Sequence, residues 1–471
     1  MEIAGRHKER ATLQRFYESE TPEFVAVYGR RRTGKTYLIK EFFRDRFSFY
    51  ISGLANAEKE EQIEAFRDAL NFYGKMPYPK AETWLEAFRQ LVHLLEHSGQ
   101  KGKKVIFIDE LPWFDTPRSG FITALEFFWN SWASARADIL LIVCGSATSW
   151  IINKLLKNKG GLHNRVTHRL PLAPFTLSEC EEYFKYKKII FDKKSMVELY
   201  MIFGGIPFYL NMLEKRLSVA QNVDKLCFAK DGELKDEFSV LYASLFRNYE
   251  NYIAVVKALS KKTKGLMREE IIAETDLQGG GLTKILEELE QCDFIRKYYS
   301  IGKKTKYAIY QLVDCFSLFY YNFMENNKSG KNFWTSMIDN AAHRAWSGYA
   351  FELVCLMHEE QIKQRLGIAG VLTNSGSWRS LKTTPATQID LVIDRNDRII
   401  NLCEMKYANT EFVIDKKYDE ELRNKKAAFI AETKTRKGVH LTLLTTYGVK
   451  RNEFWNNIQS EVVMEDLFVK I

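Results

Sequence analysis

Two glycines five positions apart, followed at once by a lysine and a threonine, give this chain a segment able to hold phosphate: Gly29-Arg-Arg-Arg-Thr-Gly34-Lys35-Thr36. Glycines let the backbone curl so that successive N–H groups face inward, and a helix opening at the end of the loop aims its positive end the same way. Lys35 would then reach the β and γ phosphates of a nucleoside triphosphate, and Thr36 would offer its hydroxyl to magnesium. Arg32 and Thr33 within the loop, and Tyr37 just beyond it, join the residues expected to contact the nucleotide.

A second set completes hydrolytic chemistry. Asp109 and Glu110 end the apolar run Lys104-Val-Ile-Phe-Ile108. There Asp109 would hold magnesium through its water shell and Glu110 would polarise the attacking water. Another apolar run ends in Cys144-Gly-Ser146-Ala-Thr148, where Ser146 is either a γ-phosphate sensor or a helix cap. Downstream, Arg165 or Arg169 is placed to act as an arginine finger.

A third set lies near the other end. Glu352 sits in the largely apolar stretch 345–357, and an acid there costs free energy unless it has a partner or a metal. Asp390 follows Gln388 in one alternating segment, and Glu404-Met-Lys406 ends another; Glu404 and Lys406, two apart, share one face of a strand. Carboxylates from two neighbouring strands and a helix make a hard oxygen site for magnesium or manganese, and Lys406 can orient or deprotonate water. The plainer alternative is a hairpin with exposed charges, which explains poorly the acid on an apolar helix.

These residues need elements to position them. The pattern predicts strands over 23–28, 104–108 and 138–143, with a helix over 37–46 after the phosphate loop. Residues 176–246 read as helical, with a cap at Ser178. Helices are expected over 252–259, 268–275 and 281–292, then a hairpin with arms 294–301 and 306–312 around the basic tip Gly302-Lys-Lys-Thr-Lys306. Three short helices and a basic hairpin are the layout of a winged helix-turn-helix. The third helix carries Glu287, Glu288 and Glu290 against one Lys284, so either DNA contact or protein docking suits it. The polar segment 325–331 reads as a linker, and the strands of the final module span 388–394 and 399–407.

At this point the chain resembles the AAA+-related ATPases near the origin-recognition and STAND branches, widespread in archaea and bacteria. The matching residues are Gly5-Arg6-His-Lys-Glu9, Gly29 to Thr36, Ile108-Asp-Glu-Leu-Pro-Trp113, Cys144-Gly-Ser146 and Gly204-Gly-Ile-Pro207-Phe-Tyr-Leu. The resemblance implies ATP or ADP as ligand, with Gly5, Arg6 and Pro207 flanking the adenine. Asp390, thirteen residues, then Glu404-x-Lys406, joined by Glu352, resembles the active site of the PD-(D/E)XK nuclease superfamily. Gln388, Lys416-Lys-Tyr418 and Lys425-Lys426 accompany it, and no proline precedes Asp390.

The expected fold is therefore α/β. It comprises a P-loop NTPase core with an ASCE-type parallel sheet (1–172), a helical lid (173–245), a winged helix-turn-helix (246–324) and a C-terminal restriction-endonuclease-like domain (332–471). The expected function is an ATP-hydrolysing switch that controls a metal-dependent DNA endonuclease, or alternatively a non-cleaving regulator of DNA or protein association. Rings are usual among AAA+ relatives and triggered monomers among STAND relatives, so assembly stays open.

Composition sets bounds on this reading. A chain of 471 residues exceeds one hydrophobic core, and 46% hydrophobic residues exclude wholesale disorder. The net charge of +9 is mild for this length, permitting a polyanionic partner without demanding one. Seven scattered cysteines with no C-x-x-C pair suggest free thiols in a reducing compartment. The charged first twenty residues and the lack of long apolar runs suggest a cytoplasmic protein without a membrane span.

Overall fold

Short runs such as Phe-Val-Ala-Val and Val-Ile-Phe-Ile are apolar on both faces, and such runs are stable only where helices cover a sheet on both sides. The computed structural model has this arrangement. It describes residues 3–157, 164–299, 301, 308–326, 330, 332–380 and 387–471. The basic hairpin tip expected at 302–306 and part of the expected linker lie outside the described residues.

The chain forms two compact units, Met1–Pro174 and Phe175–Ile471. The first runs α1 (His7–Glu18), β1 (Glu23–Tyr28), α2 (Lys35–Phe43), β2 (Phe47–Ser52), α3 (Lys59–Gly74), α4 (Trp84–His97), β3 (Lys104–Asp109), α5 (Phe121–Ser131), β4 (Ile139–Cys144), α6 (Thr148–Trp150) and β5 (His168–Pro171). Its sheet has the order β2-β3-β4-β1-β5, and every neighbouring pair is parallel. Alternation along the strands divides the core. Phe24, Ile106 and Leu141 pack with Phe66, Trp84 and Phe121 of α3, α4 and α5, while Val25, Phe107 and Ile142 pack with Leu13, Leu38 and Ile39 of α1 and α2. The phosphate loop, Asp109, Glu110 and Ser146 follow the carboxyl ends of β1, β3 and β4, the edge where open parallel sheets bind ligands.

The second unit begins with α7 (Leu177–Lys187), α8 (Lys193–Phe203), α9 (Pro207–Leu210), α10 (Val219–Val223) and α11 (Glu237–Leu245). Thr176, rather than Ser178, caps α7: its hydroxyl accepts the Glu179 N–H at 3.3 Å while Glu179 accepts the Thr176 N–H at 2.9 Å. Next come α12 (Tyr249–Ser260), β6 (Leu266–Met267), α13 (Arg268–Thr275), α14 (Gly279–Gln291), β7 (Ile295–Tyr299) and β8 (Ala308–Leu312), with the three strands in the order β6-β8-β7.

The chain continues through α15 (Cys315–Phe319), α16 (Phe333–Met337), α17 (Ala341–Met357), α18 (Glu359–Arg365), β9 (Thr373–Arg379), β10 (Gln388–Arg395), β11 (Ile399–Lys406), α19 (Lys416–Thr433), β12 (Gly438–Thr445) and β13 (Ser460–Val463). The last five strands form one sheet, β13-β12-β11-β10-β9. It is antiparallel across β9, β10 and β11 and parallel from β11 to β13, because α19 is the crossover between β11 and β12. Leu422 and Phe429 of α19 pack on Val392, Ile400 and Leu402. All seven cysteines are buried and unbridged. Among the described residues no helix is long and apolar enough to cross a membrane.

Candidate functional site

The loop from Gly29 to Gly34 leaves β1 and turns straight into α2. Gly29 has φ +139°, and a Cβ on it would lie 2.4 Å from the Leu172 carbonyl oxygen, so only glycine fits this approach. The Lys35 ammonium is buried and folded back over the loop, donating to the Gly29 carbonyl at 2.9 Å and the Arg30 carbonyl at 2.8 Å. Thr148, at the start of α6, donates to the same Gly29 carbonyl at 2.8 Å. The Thr33 hydroxyl closes the loop on the Arg30 carbonyl at 2.8 Å, and Arg32 adopts a left-handed φ of 71°.

Thr36 and Asp109 meet: the hydroxyl donates to Asp109 Oδ2 at 2.8 Å, and the Glu110 N–H donates to Asp109 Oδ1 at 3.0 Å. Burial pushes the Asp109 carboxyl above its ordinary range, the Thr36 hydrogen bond opposing this. Glu110 is held in a left-handed backbone conformation, φ 47°. Its Oε2 accepts from the Ser146 hydroxyl at 2.9 Å and from the Ser146 N–H at 3.2 Å. β4 lies between β1 and β3, so Ser146, just past its end, is carried to the side of Glu110. An ammonium, a hydroxyl, a buried carboxylate and a neighbouring glutamate on one sheet edge are a donor set that fits a magnesium-bound triphosphate.

The remaining expected residues fall as follows. Arg6, next to Gly5, is buried and donates to the Thr33 carbonyl at 3.1 Å, so its guanidinium reaches the phosphate loop itself. Tyr37 is 47% exposed on the first turn of α2. Arg165 and Arg169 are both exposed, on the turn before β5 and on β5. Pro207 opens α9 in the second unit.

In that second unit Glu352 of α17 and Asp390 of β10 come together on one cation that sequence reasoning missed, Lys264. Its ammonium donates to Glu352 Oε2 at 3.0 Å and to both oxygens of Asp390 at 2.7 and 2.8 Å. Gln388 Nε2 adds a bond to Asp390 Oδ1 at 3.0 Å. A shift of register in β10 between Ile389 and Val392, against β9, falls at Asp390 and re-aims that side chain relative to its strand. On β11 Glu404 and Lys406 both meet α19: Glu404 binds Lys425 at 2.9 Å, and the Lys406 ammonium lies 4.8 Å from the centre of the Tyr418 ring. Burial raises the affinity of Glu352 and of Glu404 for protons, and nearby Asp390 adds to the effect on both.

The three acids expected to share one metal ion are not gathered as a cage. Among the described residues no group of three or more His, Cys, Asp or Glu side chains is placed to hold a metal. The physical reason is that lysines take the cation's part, Lys264 on Glu352 and Asp390 and Lys425 on Glu404. The oxygen chemistry of the Glu352–Asp390 pair still fits a hard divalent cation. The sequence signal for Lys264 was slight, a lysine before a glycine at a turn.

Residues 4–213 match a family described as an ATPase domain predominantly from Archaea. This segment is thus an archaeal-type ATPase domain of the P-loop class. An uncharacterized protein of Methanocaldococcus jannaschii is 24% identical over 410 residues, 86% of this chain and 87% of the relative. Among solved structures, the chain is similar to a Walker-type ATPase of Pyrococcus abyssi, with a TM-score of 0.48 and 18% identity over 68% of this chain and 96% of that one. It is also similar to the ORC2 protein of Aeropyrum pernix, with a TM-score of 0.44 and 12% identity over 68% of this chain and 92% of that one.

Proposed function

We propose that this protein binds ATP with magnesium, hydrolyses it, and uses the nucleotide state to control a metal-dependent, nuclease-like site in its C-terminal unit. The contact between Thr36 and Asp109 at 2.8 Å carries the first part, because it joins the phosphate loop to the strand end where a magnesium ion belongs. Magnesium, held by Thr36 and through water by Asp109, would neutralise phosphate charge. Lys35 would exchange its loop carbonyls for β and γ phosphate oxygens. Glu110 would orient a water whose oxygen attacks the γ phosphorus as the bond to the β–γ bridging oxygen breaks, and Ser146 would hold Glu110 in place. Arg165 or Arg169, both exposed, would serve a neighbouring copy as an arginine finger.

In this reading 1–172 is the ATPase core and 173–245 a helical lid that carries Pro207. Residues 246–324 are a winged helix, and 332–471 are the nuclease-like domain. The pairing of Glu352 and Asp390, with Glu404 and Lys406 on the next strand, supports a phosphodiester-cleaving centre for DNA. A second reading, a regulator that binds without cutting, is favoured by the acidic α14 and by the lysines already seated on the acids.

Calorimetry with ATP and magnesium on the parent and on Lys35→Ala tests the first part: binding in the parent and its loss in the variant is expected, and identical traces would end the scheme. Nicking of plasmid DNA with manganese, with and without ATP, separates the two readings of the C-terminal unit. Parent activity lost in Glu404→Ala and Lys406→Ala supports cleavage; equal activity in all three removes it.

A further inference from the structure

The turn Thr263-Lys264-Gly265 between α12 and β6 is held in place from three directions. The Tyr298 hydroxyl donates to the Lys264 carbonyl at 2.7 Å. Gln311 Nε2 donates to the Thr263 carbonyl at 2.7 Å, and Gln311 Oε1 accepts from Arg296 Nε at 2.6 Å, so the buried amide of Gln311 is itself oriented from β7. Gly265 has φ +80°, and a Cβ there would stand 2.5 Å from the Tyr310 carbonyl oxygen. The backbone is therefore fixed at a position that a side chain at 265 would forbid.

What this turn presents is one ammonium. It bridges Glu352 Oε2 and both oxygens of Asp390 within 3.0 Å, with Gln388 also on Asp390. Three chain segments far apart in sequence thus converge on a charge that two carboxylates need. Two adjacent acids repel one another unless a cation lies between them, and a lysine can supply that cation as a metal would. The two cannot occupy the same oxygens together, because an ammonium within hydrogen-bond distance fills the space that a directly bound ion requires. The main chain on either side of the lysine is pinned by Tyr298 and Gln311, which fixes the point from which its side chain reaches the acids.

We propose that Lys264 is a built-in counter-ion that closes the Glu352–Asp390 site, so that a divalent cation enters only when the Lys264 ammonium withdraws. This rests on the reading of these acids as a metal centre. It makes Lys264 the gate of that centre.

Manganese binding tests this directly, followed by the spin-resonance signal of free Mn²⁺ on nucleotide-free, full-length protein. The parent, Lys264→Met, Lys264→Gln and Asp390→Asn are compared, with thermal melts to establish that each is folded. Tighter binding by roughly ten-fold or more is expected in both lysine variants, since apparent affinity is reduced by the fraction of molecules whose site is closed. Adding Asp390→Asn to either should remove the gain. Equal affinity in parent and lysine variants, lost with Asp390→Asn, would overturn the gate and leave the metal centre standing. No binding in any protein would remove the metal centre and the gate with it.

Discussion

The Thr36 hydroxyl donates to Asp109 Oδ2 at 2.8 Å across 73 residues of sequence, and this bond fixes the distance between the phosphate loop and the end of β3. In the proposed ATP-bound protein Thr36 would hold magnesium by its hydroxyl and Asp109 would hold it through water. Thr36→Ala should then lower ATP turnover on the order of 10²-fold, the scale of losing one preorganised transition-state contact. Nucleotide binding without magnesium should change little. Phosphate release, with calorimetry in the presence and absence of magnesium, checks both halves.

Glu110 is the residue whose loss should separate binding from hydrolysis. Its carboxylate is held by the Ser146 hydroxyl and N–H, not by the loop that cradles phosphate. Glu110→Gln should keep ATP affinity within a few-fold and reduce turnover by about 10²- to 10⁴-fold, the range for a positioned acid or base. Ser146→Ala, which frees the carboxylate without removing it, should cost less. A Glu110→Gln protein that hydrolyses ATP at the parent rate would take the water-orienting role away from this residue.

Much of this edge was legible because its signals are local. A strand of buried β-formers, a loop with two obligatory glycines and a helix follow one another directly, and β3 delivers Asp109 at its last position. The hairpin of β10 and β11 was legible for the same reason, each strand carrying its own alternation. β2 and β5 were not read: Phe-Ser-Phe-Tyr-Ile-Ser mixes serines into its run, and His-Arg-Leu-Pro is four residues long, so both become strands only by pairing with β3 and β1. Lys264 was illegible for a stronger reason. Its partners lie 88 and 126 residues away, and no spacing rule connects a turn lysine to acids on another helix and sheet.

Gly29 offers a test of the loop that does not depend on nucleotide. Alanine there would combine an unfavourable φ with a Cβ 2.4 Å from the Leu172 carbonyl oxygen. A destabilisation of about 2–4 kcal/mol is expected for strain and backbone overlap together. The shift of the urea midpoint of the first unit measures it. A change under about 0.5 kcal/mol, the range of an ordinary surface substitution, would mean that the loop is free to move away from Leu172.

His358 makes the stability of the second unit depend on pH. The ring is fully buried, and since a carbonyl can only accept, Nδ1 carries the proton and donates to the Val354 carbonyl at 2.8 Å. Nε2 must then accept, which it does from the Leu177 N–H at 2.9 Å, at the first turn of α7. Protonating Nε2 would break that bond and bury a charge, and burial holds the imidazole down to about 4. A histidine whose folded value is depressed contributes stability that is complete above its unfolded value near 6.5 and is lost as pH falls through the folded one. The contribution should thus decline between about pH 6.5 and pH 4, by up to roughly 3 kcal/mol. Glu352 and Glu404, whose protonation is favoured in the folded protein, work in the opposite direction over the acid end of this range. The difference between parent and His358→Gln isolates the histidine, since both proteins keep the glutamates. Urea unfolding at pH 7.5, 5.5 and 4.5 should show the parent's advantage over the variant shrinking as pH falls. An advantage independent of pH would mean that this ring takes up its proton in the folded state as readily as in the unfolded chain.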